Sequence, residues 1–167
     1  FIDASAFEDA VAELPALHSR VAAGSSWALA QGATQVEPLD PSSETVAVAG
    51  RAEAERVSRR LVGRLGEWLS DPQQRERARL VGLRLDAALA YLAAFPDTPE
   101  AQTIRYEAGD NFWEREQWPQ AWALYQQAGE ALLAAGEGEK GAKALGDAFL
   151  AARSEERRVG KECRSRW

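Results

Sequence analysis

Apolar residues recur every three or four positions along most of this chain, the mark of amphipathic helices. The spacing predicts a first helix over 4–22, with Phe7, Val11, Leu14, Leu17 and Val21 on one face. Pro15 lies inside it and should kink or restart it. Gly24-Ser25-Ser26 breaks the pattern, and 27–30 reads as a short helical piece. From Gly32 to Pro41 the period is lost, Pro38 and Pro41 punctuate, and Ser42-Ser43 can cap the next helix. That helix starts at Glu44 or Arg51 and runs to Leu69, with a predicted buried stripe of Val57, Leu61, Leu65 and Trp68. Asp71 can cap a helix over 73–94, with Pro72 in its first turn; Val81, Leu85, Ala88, Leu92 and Phe95 share its apolar side. Pro96 stops that helix. Thr98 suits an N-cap, and Pro99 and Glu100 suit a first turn. Helices come next over 99–117 and 119–135, then a turn at Gly136 and Gly138, then a last helix over 140–152.

Composition agrees with that pattern. The body is rich in Ala, Leu and Arg and poor in β-branched residues, an all-α composition. The chain carries 20 basic and 26 acidic residues, a formal charge of −6. Its last fifteen residues, RSEERRVGKECRSRW, hold six basic residues, three Glu and the sole Cys, Cys163. They show no helical or strand period. The string resembles translated read-through of a sequencing adapter, which implies that 153–167 is an artefactual or disordered tail to be left out of fold reasoning. The other reading is a natural basic tail for an acidic surface. Without it, 1–152 carries 14 basic and 23 acidic residues, a charge of −9. Such a body argues against a general nucleic-acid or anionic-membrane binder. It has no Cys, so disulfides and thiolate metal sites are excluded there. No apolar run approaches the ~18 residues of a membrane span.

Ile104 to Ala128, IRYEAGDNFWEREQWPQAWALYQQA, is the most informative stretch. It reads as two helices joined by a tight turn at Gln117-Trp118-Pro119. Small and large residues alternate where the helices must nest: Gly109 with Phe112, Trp118 with Ala121, Tyr125 with Ala128. That order resembles the tetratricopeptide repeat, a helical hairpin that stacks on copies of itself. A partial second copy stands in ALGDAFLA, with Gly146 and Phe149, 37 residues after the first against about 34 in the usual repeat. There are departures: Arg105 stands where a large apolar residue is usual, Glu116 where a turn Gly is usual, and Leu133 where Pro often closes the unit. The resemblance covers about 100–150, while 51–95 shares only the hairpin shape and the FPDTPEA exit.

The resemblance implies an all-α superhelix, a solenoid of hairpins. Its parts would be an N-terminal helical segment 1–31, a linker 32–43, and helical repeats over 44–152, with the clearest hairpin at 99–135 and a partial repeat at 139–152. It implies a non-enzymatic scaffold binding a protein or peptide partner, within a larger bacterial protein, with a lean to the cell envelope. Carried over by position, the groove would be lined by Thr103, Tyr106, Asp110, Trp113 and Glu114, then Lys140, Lys143 and Asp147. On the helix alone, 103, 106, 110 and 113 fall on one stripe. Two aromatics beside two carboxylates suit an apolar or basic peptide. The competing reading packs Trp113 on a neighbouring hairpin in an ordinary Ala-rich helical bundle.

Catalytic chemistry finds little support. His18 is the sole His and sits on an apolar face, the place of a structural residue. No triad assembles around it, and no carboxylate cluster has metal-ligand spacing, so no cofactor or metal is expected. GEGEKGAK at 136–143 is superficially similar to a phosphate loop, but Lys143 is one place late, no Ser or Thr comes after it, and no strand precedes. Asp110 and Glu114, at i and i+4, read as solvated acids. The arginines from Arg51 to Arg64 alternate with Glu and form a mixed-charge face. An alternative makes the repeats a regulatory or structural arm of an enzyme whose catalytic domain lies elsewhere. A third, a helical-bundle enzyme, would need a closed pocket holding charged residues.

Overall fold

The computed structural model describes residues 5–22, 44–71 and 75–165. Among these the chain is all-α, with six helices and no strand: α1 Ser5–Ala22, α2 Glu44–Leu69, α3 Arg77–Ala94, α4 Pro99–Glu114, α5 Trp118–Ala134 and α6 Gly138–Ser165. The expected short piece at 27–30, the proline-marked loop, the Ser42-Ser43 cap and Pro72 lie outside the described residues. The chain divides into two compact units, Phe1–Ala94 and Phe95–Trp167.

In the first unit α1, α2 and α3 each pack on the other two. Val11 and Leu14 of α1 are buried as their spacing predicts, and the Phe7 and Trp68 rings meet in a T-shaped pair with centroids 5.7 Å apart. Pro15 is accommodated inside α1. The buried stripe of α2 corrects the sequence reading. It consists of Ala54, Ser58, Val62, Leu65 and Leu69, whereas Val57 is exposed and Leu61 and Trp68 are half-buried. The helix is rotated by about one residue because its neighbours supply polar as well as apolar partners. His18 Nε2 lies 2.8 Å from Ser58 Oγ. Ser58 gives its single proton to the Ala54 carbonyl at 2.8 Å, so His18 must be the donor in that pair. Burial holds the His18 pKa below its ordinary value, which keeps the ring neutral and structural. Tyr91, fully buried on α3, donates to Glu55 on α2 at 2.9 Å. Helix α3 begins at Arg77, later than the expected 73; it buries Val81, Leu85 and Ala88 as predicted, together with Leu80 and Ala87.

In the second unit α5 is central and packs on both α4 and α6. Thr98 stands at the N-cap of α4 with extended backbone, but its hydroxyl makes no cap bond and turns back to the Phe95 carbonyl at 3.2 Å. Helix α4 stops at Glu114 rather than 117. Its end is a Schellman motif: Gln117 N–H reaches the Phe112 carbonyl at 3.0 Å and Glu116 N–H reaches Trp113 at 3.0 Å. Helix α5 ends the same way, with Glu137 N–H to Leu132 at 2.9 Å and Gly136 N–H to Leu133 at 3.0 Å. Both motifs need a left-handed residue after the cap. Gly136 supplies it at φ 82°, and Glu116 supplies it at φ 56° despite its side chain.

Nesting of α4 on α5 obeys the predicted pattern at Gly109, where an added Cβ would lie 2.7 Å from the Tyr125 ring. Ala121, Tyr125 and Ala128 are buried, and Phe112 and Trp118 are half-buried. The α5–α6 contact differs from the expected one. Gly146 has open space beside it and Phe149 is 64% exposed. The glycines that meet are Gly129 and Gly141: Leu145 covers Gly129, Leu133 covers Gly141, and each glycine lies against the other's carbonyl. Ala144, Ala148 and Ala151 complete the buried face of α6. That face repeats the spacing of Ala101, Ile104, Ala108 and Asn111 on α4, although Asn111 buries an Nδ2 with no hydrogen-bond partner among the described residues.

Helix α6 runs past the expected end at 152 and continues to Ser165. An absent apolar period does not forbid a helix. Arg, Glu and Lys are good helix formers, extension of a formed helix avoids nucleation, and Arg158 pairs with Glu155 at 2.6 Å.

Candidate functional site

The sequence stripe on α4 and its counterpart on α6 come together at Tyr106. Tyr106 and Asp110 are one turn apart on α4, and Lys143 and Asp147 are one turn apart on α6, so each helix presents an i, i+4 pair on one face. The Tyr106 hydroxyl donates to Asp147 Oδ2 at 2.5 Å, joining α4 to α6. The Tyr125 hydroxyl, from α5, donates to Asp110 Oδ1 at 2.6 Å. The two phenol rings lie 5.2 Å apart, tilted at 49°. Lys143 Nζ stands 5.0 Å from the centroid of the Tyr106 ring, within range of a cation–π attraction.

Both phenols are held in the neutral, donating form. Burial first, then the bond to Asp147, raises the Tyr106 pKa well above the ordinary tyrosine range. Burial, then the bond to Asp110, does the same for Tyr125. Ionising either would place a phenolate against a carboxylate. The cluster is therefore an array of two neutral phenols, two acceptor carboxylates and one amine.

The remaining candidates fall into two groups. Thr103 and Glu114 are exposed on α4. Lys140 is exposed on α6 and pairs with Glu137 at 2.5 Å. Trp113 is half-buried, edge to face with Trp118 at 4.7 Å, and packs with Tyr106 and Phe112 against the buried cluster of Ala121, Tyr125, Ala148 and Ala151. That geometry favours packing within the hairpin for Trp113. Sequence reasoning assigns Tyr125 to packing alone and does not join Asp147 to Tyr106; the signal that could do so is the matching i, i+4 spacing of a polar pair on each helix.

No group of His, Cys, Asp and Glu among the described residues could hold a metal ion, and none of the described helices is long and apolar enough to cross a membrane. No family model, no curated protein and no solved structure matches this chain.

Proposed function

We propose that the second unit is a non-enzymatic scaffold of tetratricopeptide-like hairpins, which binds a peptide or protein segment along the face shared by α4 and α6. The observation that carries this reading is the Tyr106–Asp147 hydrogen bond, which links α4 to α6 while both pack on α5. Alternate helices lining one face are what a stacked-hairpin groove requires. The half-buried Tyr106 ring offers apolar area and a fixed polar edge, the mixture that peptide grooves use. Thr103 and Lys143 extend the same face with exposed side chains.

The test is selection from a random peptide library on the intact chain, repeated with Tyr106→Ala and with Trp122→Ala. Trp122 is exposed on α5 and stands as the control. Peptides enriched on the wild type should bind Tyr106→Ala at least about tenfold more weakly, the loss of a central aromatic anchor, and should tolerate Trp122→Ala. Enriched peptides indifferent to Tyr106, or no enrichment at all, would remove this reading.

A further inference from the structure

The position over the Tyr106 ring is already taken by an amine from the protein itself. Lys143 is exposed, yet its Nζ is held 5.0 Å from the ring centroid. Asp147, one turn along the same helix, fixes the ring by accepting its hydroxyl proton. Asp110 lies one turn along α4 and accepts from Tyr125. Three carboxylates, Asp110, Glu114 and Asp147, thus lie on the same two helix faces as Lys143, and the body of the chain is strongly acidic. Lys140, the next amine on α6, is engaged with Glu137. The local field therefore favours a cation at Tyr106, and a single flexible side chain provides one.

We propose that Lys143 is an internal stand-in for a cationic side chain of the partner, and that the groove recognises a Lys or Arg that displaces it from the Tyr106 ring. This inference rests on the groove reading above. An arriving guanidinium would stack on the phenol ring and share the Asp110–Asp147 field, and Lys143 would swing to solvent on its four-carbon stem. Arg suits the place better than Lys because its planar, weakly hydrated head stacks on aromatic faces. Lys143 then acts as a built-in competitor that lowers affinity and rejects ligands too weakly cationic to replace it.

Tetra-arginine amide and its tetra-citrulline counterpart, which keeps the shape and removes the charge, are the probes. Each is titrated calorimetrically into the full chain and into Lys143→Gln, Lys140→Gln and Tyr106→Leu, with circular dichroism on every variant to establish folding. Lys143→Gln should bind tetra-arginine about two- to fivefold more tightly, the worth of one exposed cation–π contact. Lys140→Gln removes the same charge one turn away and should give a clearly smaller gain. Tetra-citrulline should respond to neither. Equal gains from Lys143→Gln and Lys140→Gln would reduce the effect to net charge and overturn the competing-lysine role alone. Tetra-arginine binding that is indifferent to Tyr106→Leu in every background would overturn the groove itself. Tighter binding of tetra-citrulline than of tetra-arginine would overturn the cationic partner.

Discussion

The two units differ in what their helical glycines meet. In α5 and α6, Gly129 and Gly141 mark the point where two backbones touch, and Gly109 on α4 lies under the Tyr125 ring. In α2 and α3, Gly63 and Gly82 face open space within 4 Å, and the contacts are made instead by Leu65, Leu80, Val62 and Tyr91. A glycine inside a helix costs conformational entropy wherever it stands. At Gly109, Gly129 and Gly141 close packing offsets that cost, whereas in the first unit the nearest approach is the flexible Arg84 side chain over Gly66. The first unit separates its helices with large side chains and ties them with polar bonds, His18 to Ser58 and Tyr91 to Glu55.

The same substitution should therefore have opposite signs at Gly129 and at Gly63 or Gly82. Gly129→Ala places a methyl 2.8 Å from Leu145 Cγ and 3.1 Å from the Gly141 carbonyl, and overpacking of this kind should cost about 1–3 kcal/mol. Gly63→Ala and Gly82→Ala meet nothing and should gain about 0.5–1 kcal/mol from helix propensity. Urea melts of the three variants settle the matter, and a neutral or stabilising Gly129→Ala would mean that α5 and α6 do not nest through their glycines.

The two turns of the second unit offer a sharper contrast, because their hydrogen bonds match while their left-handed residues differ. Glu116→Gly should stabilise by about 1 kcal/mol, and Gly136→Ala should destabilise by a similar amount. Thermal melts that moved the same way for both would show that the two Schellman turns are not equivalent.

Titration should also separate the units. The His18 pKa is lowered on folding, so its contribution is complete above the unfolded value of about 6.5 and is lost as pH falls below it through the lower folded value. The pKa values of Tyr106 and Tyr125 are raised on folding, so their contribution is complete below about 10 and is lost as pH rises beyond it. His18→Gln should flatten the acid side of the stability profile, and paired Tyr106→Phe and Tyr125→Phe should flatten the alkaline side. An alkaline side unchanged by the Phe variants would remove the tyrosines from that role.

Much of the fold is legible where contacts are local in sequence. Gly109 and Tyr125 lie on either side of one tight turn, so the small-to-aromatic pattern identifies their nesting without coordinates. Glu116 stands out as a side chain in a glycine position, and it adopts the left-handed conformation that the position demands. The stripe of α2 is harder to read because Ala54 and Ser58 add little hydrophobicity to a periodicity count; the pattern tracks the larger Val57 and Leu61. By analogy with Gly109 and Phe112, Gly146 and Phe149 should pack inward, yet α6 buries another face. The Gly141–Leu145 pair interlocks with Gly129–Leu133, and nothing within α6 alone distinguishes that i, i+4 pair from its neighbours.

The sequence by itself determined the set of helices, their turns and the polar stripes they carry, because 3.6-residue periodicity, proline stops and capping positions are local properties. Only the tertiary structure decided which face of each helix is buried and which stripe meets which. Rotating a helix by one residue changes its neighbours without changing its period, and the choice falls to the fit between side chains far apart in the chain. The meeting of Tyr106 with Asp147 and Lys143 is such a choice, and the candidate site is built upon it.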